Sequence, residues 1–331
     1  MKYDLYFHDD FDGRACAAVF LDFFRRQQPN NSIARFIPVS YPVPQEWSRD
    51  DFFSQPNILG GDGNPAIVVD FRYHPSASFW IDHHATPFLT PDWQRRYLPS
   101  LYHCWDSSYL SCCRQVIVFL SQSFGYQPPS HIVALGHWLD IVDGAAYQSV
   151  EQAVFRVEPA FLIDAFIDER SRHGDQLIWL IEMLSTHTLD SIVEDQRLVS
   201  YRHLFSLQVA DALAFYRAQM IFLKDSIGCI DLSSSENLIK EIRFAPYLIA
   251  PEMLVVISIK PRPQGGFHVN VGVNPWKRDR FHAVYPDVHI GSLMQSVGGG
   301  GHQYVGGAET NTHVDAERIV QSVVDRMYSR Q

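Results

Sequence analysis

The sequence lacks the features that mark secreted, membrane-spanning and zinc-binding proteins. Its five cysteines are an odd number at irregular spacing, so they predict no disulfide framework. No apolar run reaches the roughly 18 residues of a membrane span, and the N-terminus has no apolar signal core. We therefore expect a cytoplasmic protein without a membrane partner. One histidine and cysteine cluster fits no common zinc spacing and favours a helix packed with thiols; it comprises His103, Cys104, Cys112 and Cys113.

Positive charge is also scarce. The chain has 27 Lys and Arg residues against 37 Asp and Glu residues, a formal net charge of −10. Proteins that live on duplex DNA usually present a basic face to its phosphates, so this balance argues against tight duplex binding. It does not exclude a small anionic substrate, because metal ions held by carboxylates supply positive charge locally.

Apolar patterning predicts the fold class. Short strand-like segments at residues 2–8, 32–39, 66–70 and 79–82 alternate with helical stretches, the first at 13–26. The run at 66–70 is continuously apolar up to its final aspartate, which is typical of a strand covered on both faces. Strands separated by helices predict an α/β fold with a mainly parallel, doubly wound N-terminal sheet.

The character of the chain changes towards its C-terminus. Residues 190–224 contain little glycine or proline and predict one long helix or two. Residues 254–259 and 267–273 then predict two paired strands, followed by a short helix capped by Asp287 and a final helix at 314–328. We therefore predict a domain with the candidate site over 1–190, a helical connector over 191–225, and a smaller mixed α/β domain over 226–331 that closes over the cleft.

Acidic and histidine side chains gather at the ends of the predicted strands. Ligands of open α/β sheets bind at these carboxyl ends. So many carboxylates in one place would repel one another unless divalent cations neutralised them. Oxygen and imidazole ligands suit Mn²⁺ or Mg²⁺ better than a thiolate-rich zinc site does. The segments concerned are His8-Asp9-Asp10-Phe11-Asp12-Gly13, Asp70, Asp82-His83-His84 and Asp140.

These segments resemble, in order and spacing, the four motifs of the DHH phosphoesterase family. The run Gly298-Gly299-Gly300-Gly301-His302, followed by Gly306-Gly307, resembles the signature of that family's associated C-terminal domain. The resemblance extends over residues 8–308, nearly the whole chain. One such motif alone would be weak, but five in order identify the chain as similar to this family.

The resemblance implies a role for each motif residue. It implies two metal ions, Mn²⁺ with Mg²⁺ as the alternative. The implied ligands are His8 and Asp10 for one ion, Asp12, His83 and Asp140 for the other, and Asp70 as the bridge between them. His84 would face the substrate phosphate and assist the leaving group, while Asp82 would orient the histidines.

Two assignments have alternatives. Asp143, three residues after Asp140, competes for the place of the last metal ligand, although the Leu-Gly-x-x-x-Asp context favours Asp140. Arg72 and His74 follow Asp70 closely and could touch a phosphate, but a solvated loop explains them as well.

The glycine run and a nearby basic cluster are candidate substrate contacts. Glycines cost backbone entropy on ordering, so Gly298 to Gly301 make sense where a ligand approaches the main chain closely. Backbone N–H groups there can cradle an anion, and His302 could bind a phosphate oxygen. A helix stop is the alternative for the glycines. Arg280, with Lys277 and Arg278, could grip a second phosphate or a nucleobase, or belong to a solvated loop.

The family resemblance implies a two-metal phosphodiesterase that releases mononucleotides from short nucleotides. Linear dinucleotides, nanoRNA, short single strands and cyclic dinucleotides all fit, and a homodimer is compatible with the family. A hydrolase of pyrophosphate or polyphosphate is the alternative, disfavoured because the first motif is His-x-Asp-x-Asp rather than His-x-x-x-Asp-x-Asp. A nucleotide-binding sensor without activity is a third reading, disfavoured because none of the expected ligands is missing.

Overall fold

The computed structural model describes residues 1–170, 174–224, 226–233, 241–262 and 265–329. The chain forms two compact units. The first comprises Met1–Tyr147 and Arg156–Arg202, and the second comprises Gln148–Phe155 and His203–Gln331. Within the described ranges, no helix combines the length and the apolar character that crossing a membrane requires.

Helices account for much of both units. In chain order they are α1 (Phe11–Gln27), α2 (Pro91–Arg96), α3 (Cys112–Phe124), α4 (Ser130–Asp143), α5 (Val150–Phe155), α6 (Pro159–Arg170), α7 (Gly174–Thr186), α8 (Leu189–Ile192), α9 (Gln196–Gln219), α10 (Ala245–Ile249), α11 (Arg278–Val284), α12 (Ile290–Gln295) and α13 (His313–Tyr328).

The first unit contains a five-stranded sheet in which every pair of neighbours is parallel. Its strands are β1 (Lys2–His8), β2 (Ser32–Val39), β3 (Ala66–Val69), β4 (Phe79–Asp82) and β5 (His103–Trp105). The strand order is β2-β1-β3-β4-β5, so the direction of winding reverses between β1 and β3. That order is one of the common orders of doubly wound sheets. The predicted fold of this part is confirmed, while β5 was not predicted because three residues carry no periodic pattern.

Close packing of α1 against β1 fixes the loop between them. A Cβ atom on Gly13 would lie 2.1 Å from the carbonyl oxygen of His8, so only glycine fits at this crossing. Asp10 caps the helix, because its Oδ1 accepts a hydrogen bond of 2.9 Å from the N–H of Gly13. The helix start and the strand end are therefore held together as one rigid corner.

An aromatic cluster packs against one part of this sheet. It includes Trp47, Phe53, Trp80 and Trp93, all buried. His74 is also fully buried and lies in the same cluster, with its ring centroid 4.6 Å from that of Phe53. His74 is thus a core residue, and the solvated loop suggested for it is wrong.

The second unit contains a mixed six-stranded sheet of order β10-β11-β9-β8-β7-β6. Its strands are β6 (Ile221–Lys224), β7 (Ile227–Asp231), β8 (Val255–Pro261), β9 (Phe267–Val273), β10 (Gly300–Gly301) and β11 (Val305–Thr310). Only β7 and β8 run parallel among its described neighbours. The alternation of β8 and β9 buries Ile257, Val269 and Val271 in the core of this unit.

Two local expectations for this part of the chain were wrong. The connector predicted as helical over 191–225 ends in strand β6, which pairs with β7 at the edge of the sheet. The helix at 290–295 is capped by His289, whose side chain accepts a hydrogen bond from the N–H of Ser292, and not by Asp287. The division of the chain into domains at 190 and 225 stays a prediction.

Candidate metal centre

The candidate ligands of the first unit lie where the winding of its sheet reverses. His8 is the last residue of β1, Asp70 directly follows β3, and Asp82 ends β4 just before His83 and His84. Because these strands are parallel and adjacent, their carboxyl ends share one edge of the sheet. This is the place where open α/β sheets bind ligands.

Asp70 lies at the centre of the group. Its side chain is buried, with a relative exposure of 1% for the residue, and neither carboxylate oxygen has a hydrogen-bond partner among the described residues. Its backbone is in the left-handed region, with φ of 56°, a strained state that is typical of functional sites. A buried carboxylate without partners is costly, so this position fits a residue that neutralises cations.

The first group of ligand atoms joins the ends of β1 and β3. Nδ1 of His8 lies 2.6 Å from Oδ2 of Asp10 and 3.8 Å from Oδ2 of Asp70. One ligand atom from each of these three residues lies within 4.8 Å of the others, close enough to hold one ion. Asp10 can offer Oδ2 because its Oδ1 is used in capping α1.

The second group brings together Asp12, His83 and Asp143. Nε2 of His83 lies 3.8 Å from Oδ2 of Asp12 and 3.3 Å from Oδ2 of Asp143. Nδ1 of His83 lies 3.1 Å from the carbonyl oxygen of Tyr109, an arrangement in which Nδ1–H donates and Nε2 keeps its lone pair for a metal.

Asp12 is positioned by the start of α3. Its two oxygens accept hydrogen bonds of 2.6 Å and 2.9 Å from the N–H groups of Cys112 and Cys113. These cysteines therefore contribute their backbone amides, while their buried thiols pack inside the unit. The sequence pattern pointed to a thiol-packed helix but not to this contact between residues a hundred positions apart.

Asp70 links the two groups through the histidines that follow β4. Its Oδ1 lies 3.5 Å from Nε2 of His83 and 3.7 Å from Nδ1 of His84. Nδ1 of His84 also lies 2.7 Å from Oδ1 of Asp82, which fixes the orientation of the ring. The structure thus brings together five of the six predicted metal ligands, while the sharing of Asp70 between two ions stays a prediction.

Burial and the crowding of negative charge raise the pKa values of several acidic side chains of the site. Burial, followed by repulsion from neighbouring carboxylates, raises the pKa of both Asp12 and Asp70 well above the ordinary value. Burial also raises the pKa of Asp143, against the attraction of His83. Bound cations would reverse this effect, because they favour the ionised carboxylates.

The pKa values of two of the histidines next to these carboxylates are also raised, which favours their charged forms. Burial disfavours the charged forms of His8 and His84, yet Asp10 and Asp82 outweigh it and raise the pKa of each ring. Burial likewise opposes the ionisation of Asp10, but His8 holds the pKa of this carboxyl below its usual value.

Asp140 does not join either group. Its Oδ1 accepts a hydrogen bond of 2.7 Å from Oγ of Ser111, and Asp143, one turn further along α4, faces His83 instead. Sequence context favoured Asp140 over Asp143 as the last metal ligand. The geometry of the site favours Asp143 instead. The alternative residue was visible in the sequence, but its side-chain contacts were not.

The glycine-rich loop belongs to the second unit. A Cβ atom on Gly299 would lie 2.1 Å from the carbonyl oxygen of Gly307, and Gly301 has φ of 148° with no room for a side chain. Gly298 also has a positive φ, of 87°. Gly300 differs, because a Cβ there would meet no atom within 4 Å. Close packing or a positive φ therefore explains why three of the four positions are glycine. Neither explains the glycine at position 300.

The other predicted substrate contacts of this unit lie on its surface. His302 is exposed. Arg280 is half-exposed and forms an ion pair with Glu252, which also binds Lys277 at 3.2 Å. The positive charge of Arg280 is thus already compensated within the unit. A role in substrate binding for Gly298, Gly299, Gly300, Gly301, His302 and Arg280 stays a prediction.

Solved structures share this fold across the whole chain. A pGpG-specific phosphodiesterase, PggH from Vibrio cholerae, aligns with a TM-score of 0.71 at 17% identity, over 99% of this chain and 100% of that one. The DHH domain of a protein described as a member of a family of ribosomal proteins gives 0.62 at 13% identity, over 100% and 87%.

A third solved structure contains a metal. RecJ in complex with Mn²⁺ from Thermus thermophilus gives a TM-score of 0.54 at 12% identity, over 99% of this chain and 52% of that one. No known family profile and no curated protein sequence matches the chain. The chain thus has the fold of the DHH-type proteins, as the resemblance of its motifs implied.

Proposed function

We propose that this protein is a two-metal-dependent phosphodiesterase that hydrolyses short nucleotide substrates to mononucleotides. The observation that carries the proposal is the environment of Asp70. This buried carboxylate has no hydrogen-bond partner among the described residues, belongs to the group with His8 and Asp10, and lies 3.5 Å from Nε2 of His83 in the other group. A purely structural aspartate in such a place would be expected to have partners that offset its charge.

The donor set fits two divalent ions of the Mn²⁺ or Mg²⁺ type. Each group combines carboxylate oxygens with an imidazole. Asp70 belongs to the group with His8 and Asp10, and its Oδ1 lies 3.5 Å from Nε2 of His83 in the other group. His8 and Asp10 would hold one ion, Asp12, His83 and Asp143 the other, and Asp70 would contact both. When bound, such ions act as Lewis acids that polarise a phosphoryl group and lower the pKa of water.

The protein's own residues orient the two histidines and assist the departure of the leaving oxygen. The carbonyl of Tyr109 fixes the ring of His83, and Asp82 fixes that of His84. Because Asp82 occupies Nδ1 of His84, the second ring nitrogen, Nε2, is the one that can meet a substrate oxygen. We propose that Nε2 of His84 donates a hydrogen bond that stabilises charge on the phosphoryl group. It would also supply a proton to the leaving oxygen.

The preference for short nucleotides is supported by two observations. One solved structure, which aligns over 99% of this chain and 100% of its own, is described as a pGpG-specific phosphodiesterase. The net charge of −10 also disfavours a long polyanion held by many surface contacts. A substrate bound mainly through one or two phosphates at a metal centre is compatible with both.

The decisive experiment is hydrolysis by the purified protein. The protein is incubated with Mn²⁺ and, in parallel, with pGpG, GpG, a short RNA or tripolyphosphate, and the products are separated by chromatography. We expect mononucleotides from the dinucleotides, and loss of this activity in EDTA. Orthophosphate from tripolyphosphate alone would instead favour a phosphoanhydride hydrolase, and no turnover of any substrate would favour a nucleotide-binding sensor.

A variant ties the activity to the site. Asp70→Asn removes the shared charge and keeps the shape of the side chain, and asparagine tolerates the left-handed backbone. Asp22→Asn is the matched control, because Asp22 is also buried in the first unit but binds Tyr126 and Arg26 instead. Full activity of Asp70→Asn would refute the proposed site.

A further inference from the structure

Arg72 is a cation beside the metal centre that forms no ion pair with a carboxylate in the described part of the chain. It lies two residues after Asp70, and its Nε is buried without a hydrogen-bond partner in the described structure. One terminal nitrogen, Nη1, donates to the carbonyl oxygen of Thr86. Most arginines in the described part of the first unit are paired with an acidic side chain, as Arg26 is with Asp22 and Arg96 with Asp92.

The ring of Tyr41 holds the guanidinium in place. The central carbon of the guanidinium lies 5.4 Å from the centroid of this ring, within the range of a cation–π contact. Tyr41 itself packs against Phe71, at 4.9 Å between centroids, and Phe71 is fully buried. The charged group is therefore supported from one side by an anchored aromatic surface.

This pair borders the first group of candidate metal ligands. The ring centroid of Tyr41 lies 5.5 Å from that of His8, and that of Phe71 lies 6.0 Å from it. Tyr41 is nevertheless 45% exposed, so a ligand can reach this rim from solvent. The rim thus combines an accessible aromatic ring with a partly exposed guanidinium that this ring and the Thr86 carbonyl hold in place.

A guanidinium of this kind suits a phosphoryl group. Its planar fork of N–H donors matches two phosphoryl oxygens, and it keeps its charge at any physiological pH. Metal ions would already neutralise the phosphate that is hydrolysed. The guanidinium of Arg72 is therefore better suited to a second anionic group of the same substrate.

We propose that Arg72, supported by Tyr41, forms an anion subsite for the 5′-terminal phosphate of a phosphorylated dinucleotide. The inference rests on the proposed function and adds a determinant of substrate choice within the first unit. Arg72 contacts the phosphate that is not hydrolysed, and Tyr41 acts as a positioning residue through Arg72. A purely structural role, in which Arg72 only ties the loop to Thr86, would affect stability and not the choice between substrates.

The test compares dinucleotides that differ only in a terminal phosphate. Steady-state kinetics with Mn²⁺ are measured for pGpG, GpG and GpGp with the wild-type protein, Arg72→Gln and Arg72→Lys. We expect Arg72→Gln to raise KM for pGpG by about 10-fold or more, as for loss of a charge-assisted hydrogen bond, with little change in kcat. KM for GpG should change less than about 2-fold, and Arg72→Lys should fall between the two proteins.

Control variants separate this effect from general loss of charge. Arg96→Gln removes an exposed arginine of the same unit, which is paired with Asp92, and should leave all three KM values unchanged. Tyr41→Phe keeps the ring and removes only the hydroxyl, which contacts the guanidinium of Arg72. Its effect on KM for pGpG should be smaller than that of Tyr41→Ala, which should reproduce part of the Arg72→Gln effect. The proposal would be overturned if Arg72→Gln changed KM for pGpG and GpG equally. Equal changes in KM for pGpG and GpGp would overturn it as well.

Binding measurements distinguish failure of this inference from failure of the proposed function. Calorimetric titration of pGpG and GpG into the wild type and Arg72→Gln in EDTA, where hydrolysis is not expected, needs no turnover. A wild-type protein that does not hydrolyse either compound refutes the proposed activity. A wild type that binds pGpG no more tightly than GpG, or an Arg72→Gln protein that keeps the preference, refutes the subsite whatever the activity.

Discussion

Nε2 of His83 lies 3.3 Å from Oδ2 of Asp143, although the two residues are 60 positions apart in the chain. This contact selects Asp143 over Asp140 as the last candidate ligand of the metal centre. We expect Asp143→Asn to lower activity at limiting Mn²⁺ by more than the 10- to 100-fold that is typical of residues outside the ligand shell. The measurement is the rate of dinucleotide hydrolysis as a function of Mn²⁺ concentration.

Asp140→Asn is the matched comparison, because it makes the same change one turn away on α4. Its carboxylate accepts a hydrogen bond from Ser111, so its loss should cost about 1 kcal/mol of folding free energy. Activity per folded molecule should fall less than about 10-fold, below the range typical of residues that orient a ligand, because Asp140 is hydrogen-bonded to Ser111 rather than to a candidate ligand. A large loss of activity in Asp140→Asn with a small loss in Asp143→Asn would contradict this expectation. Asp140, the residue favoured by the motif, would then be the ligand.

Asp70→Asn should separate the stability of the metal-free protein from its ability to bind metal. Removing a buried carboxylate that has no hydrogen-bond partner among the described residues and is repelled by its acidic neighbours should leave the metal-free protein as stable as the wild type or more so. Mn²⁺ at about 100 times its dissociation constant should stabilise the wild type by roughly 2.7 kcal/mol. We expect the variant to lose most of this increment.

Chemical denaturation with EDTA and with Mn²⁺ measures both quantities for Asp70→Asn. The midpoint without metal reports the cost of the buried carboxylate, and the difference between the two conditions reports metal binding. A variant that is stabilised by Mn²⁺ as strongly as the wild type would show that Asp70 is not shared between ions.

Gly300 offers a test of the glycine-rich loop. Because a Cβ atom there meets nothing within 4 Å, Gly300→Ala should be neutral or stabilise folding by roughly 0.4–1 kcal/mol. If the loop receives a substrate phosphate on its backbone, the added methyl group should raise KM. Thermal unfolding and steady-state kinetics of the same preparation measure the two effects.

Gly299→Ala is the contrasting variant in that loop. Its Cβ would lie 2.1 Å from the carbonyl oxygen of Gly307, so the backbone must shift, at a cost on the order of 1–3 kcal/mol. An unchanged KM in Gly300→Ala would argue that this glycine run serves only the fold of the second unit.

Much of the first unit follows from local patterns in the sequence. The apolar run of β3 ends at Asp70, and the alternation of β1 ends at His8, so the strand ends and the candidate ligands they carry were predictable. The order of the parallel strands then brings these ends together at one edge. Motif spacing and sheet topology lead to the same site.

The remaining features depend on contacts between distant residues. The choice between Asp140 and Asp143 is decided by a hydroxyl on Ser111 and by where α4 meets His83, neither of which leaves a periodic signal. Strand β6 was predicted as helix because its exposed residues Ile221 and Phe222 show no inward and outward alternation. It is a strand because β7 offers it an edge to pair with.

His74 should make the stability of the protein depend on pH. Its Nε2 lies 3.0 Å from the carbonyl oxygen of Arg49, and its Nδ1 accepts a hydrogen bond of 3.0 Å from the N–H of Ser76. Both ring nitrogens are therefore used by the neutral form. Burial lowers the pKa of His74 below its usual value of 6.5, although the Arg49 carbonyl and Asp50 oppose the change.

The sign of the effect follows from comparing the folded and unfolded chains. The unfolded chain takes up a proton on His74 near pH 6.5, whereas the folded protein does so only at lower pH. The contribution of neutral His74 is complete above pH 6.5 and is lost as pH falls from there towards the lowered pKa. We expect the free energy of unfolding of the wild type to fall between pH 7 and pH 5 more steeply than that of His74→Gln, whatever their difference at pH 7.

Denaturant titrations of both proteins across this pH range, in EDTA to remove metal binding from the comparison, provide the measurement. His203→Gln is the control, because His203 is exposed on α9 and its removal should not alter the slope. His103 is a second case of the same kind, since burial lowers its pKa too, and His103→Gln should reduce the slope further when combined with His74→Gln. Parallel pH profiles for the wild type and His74→Gln would show that the folded protein accommodates a charged ring at this position.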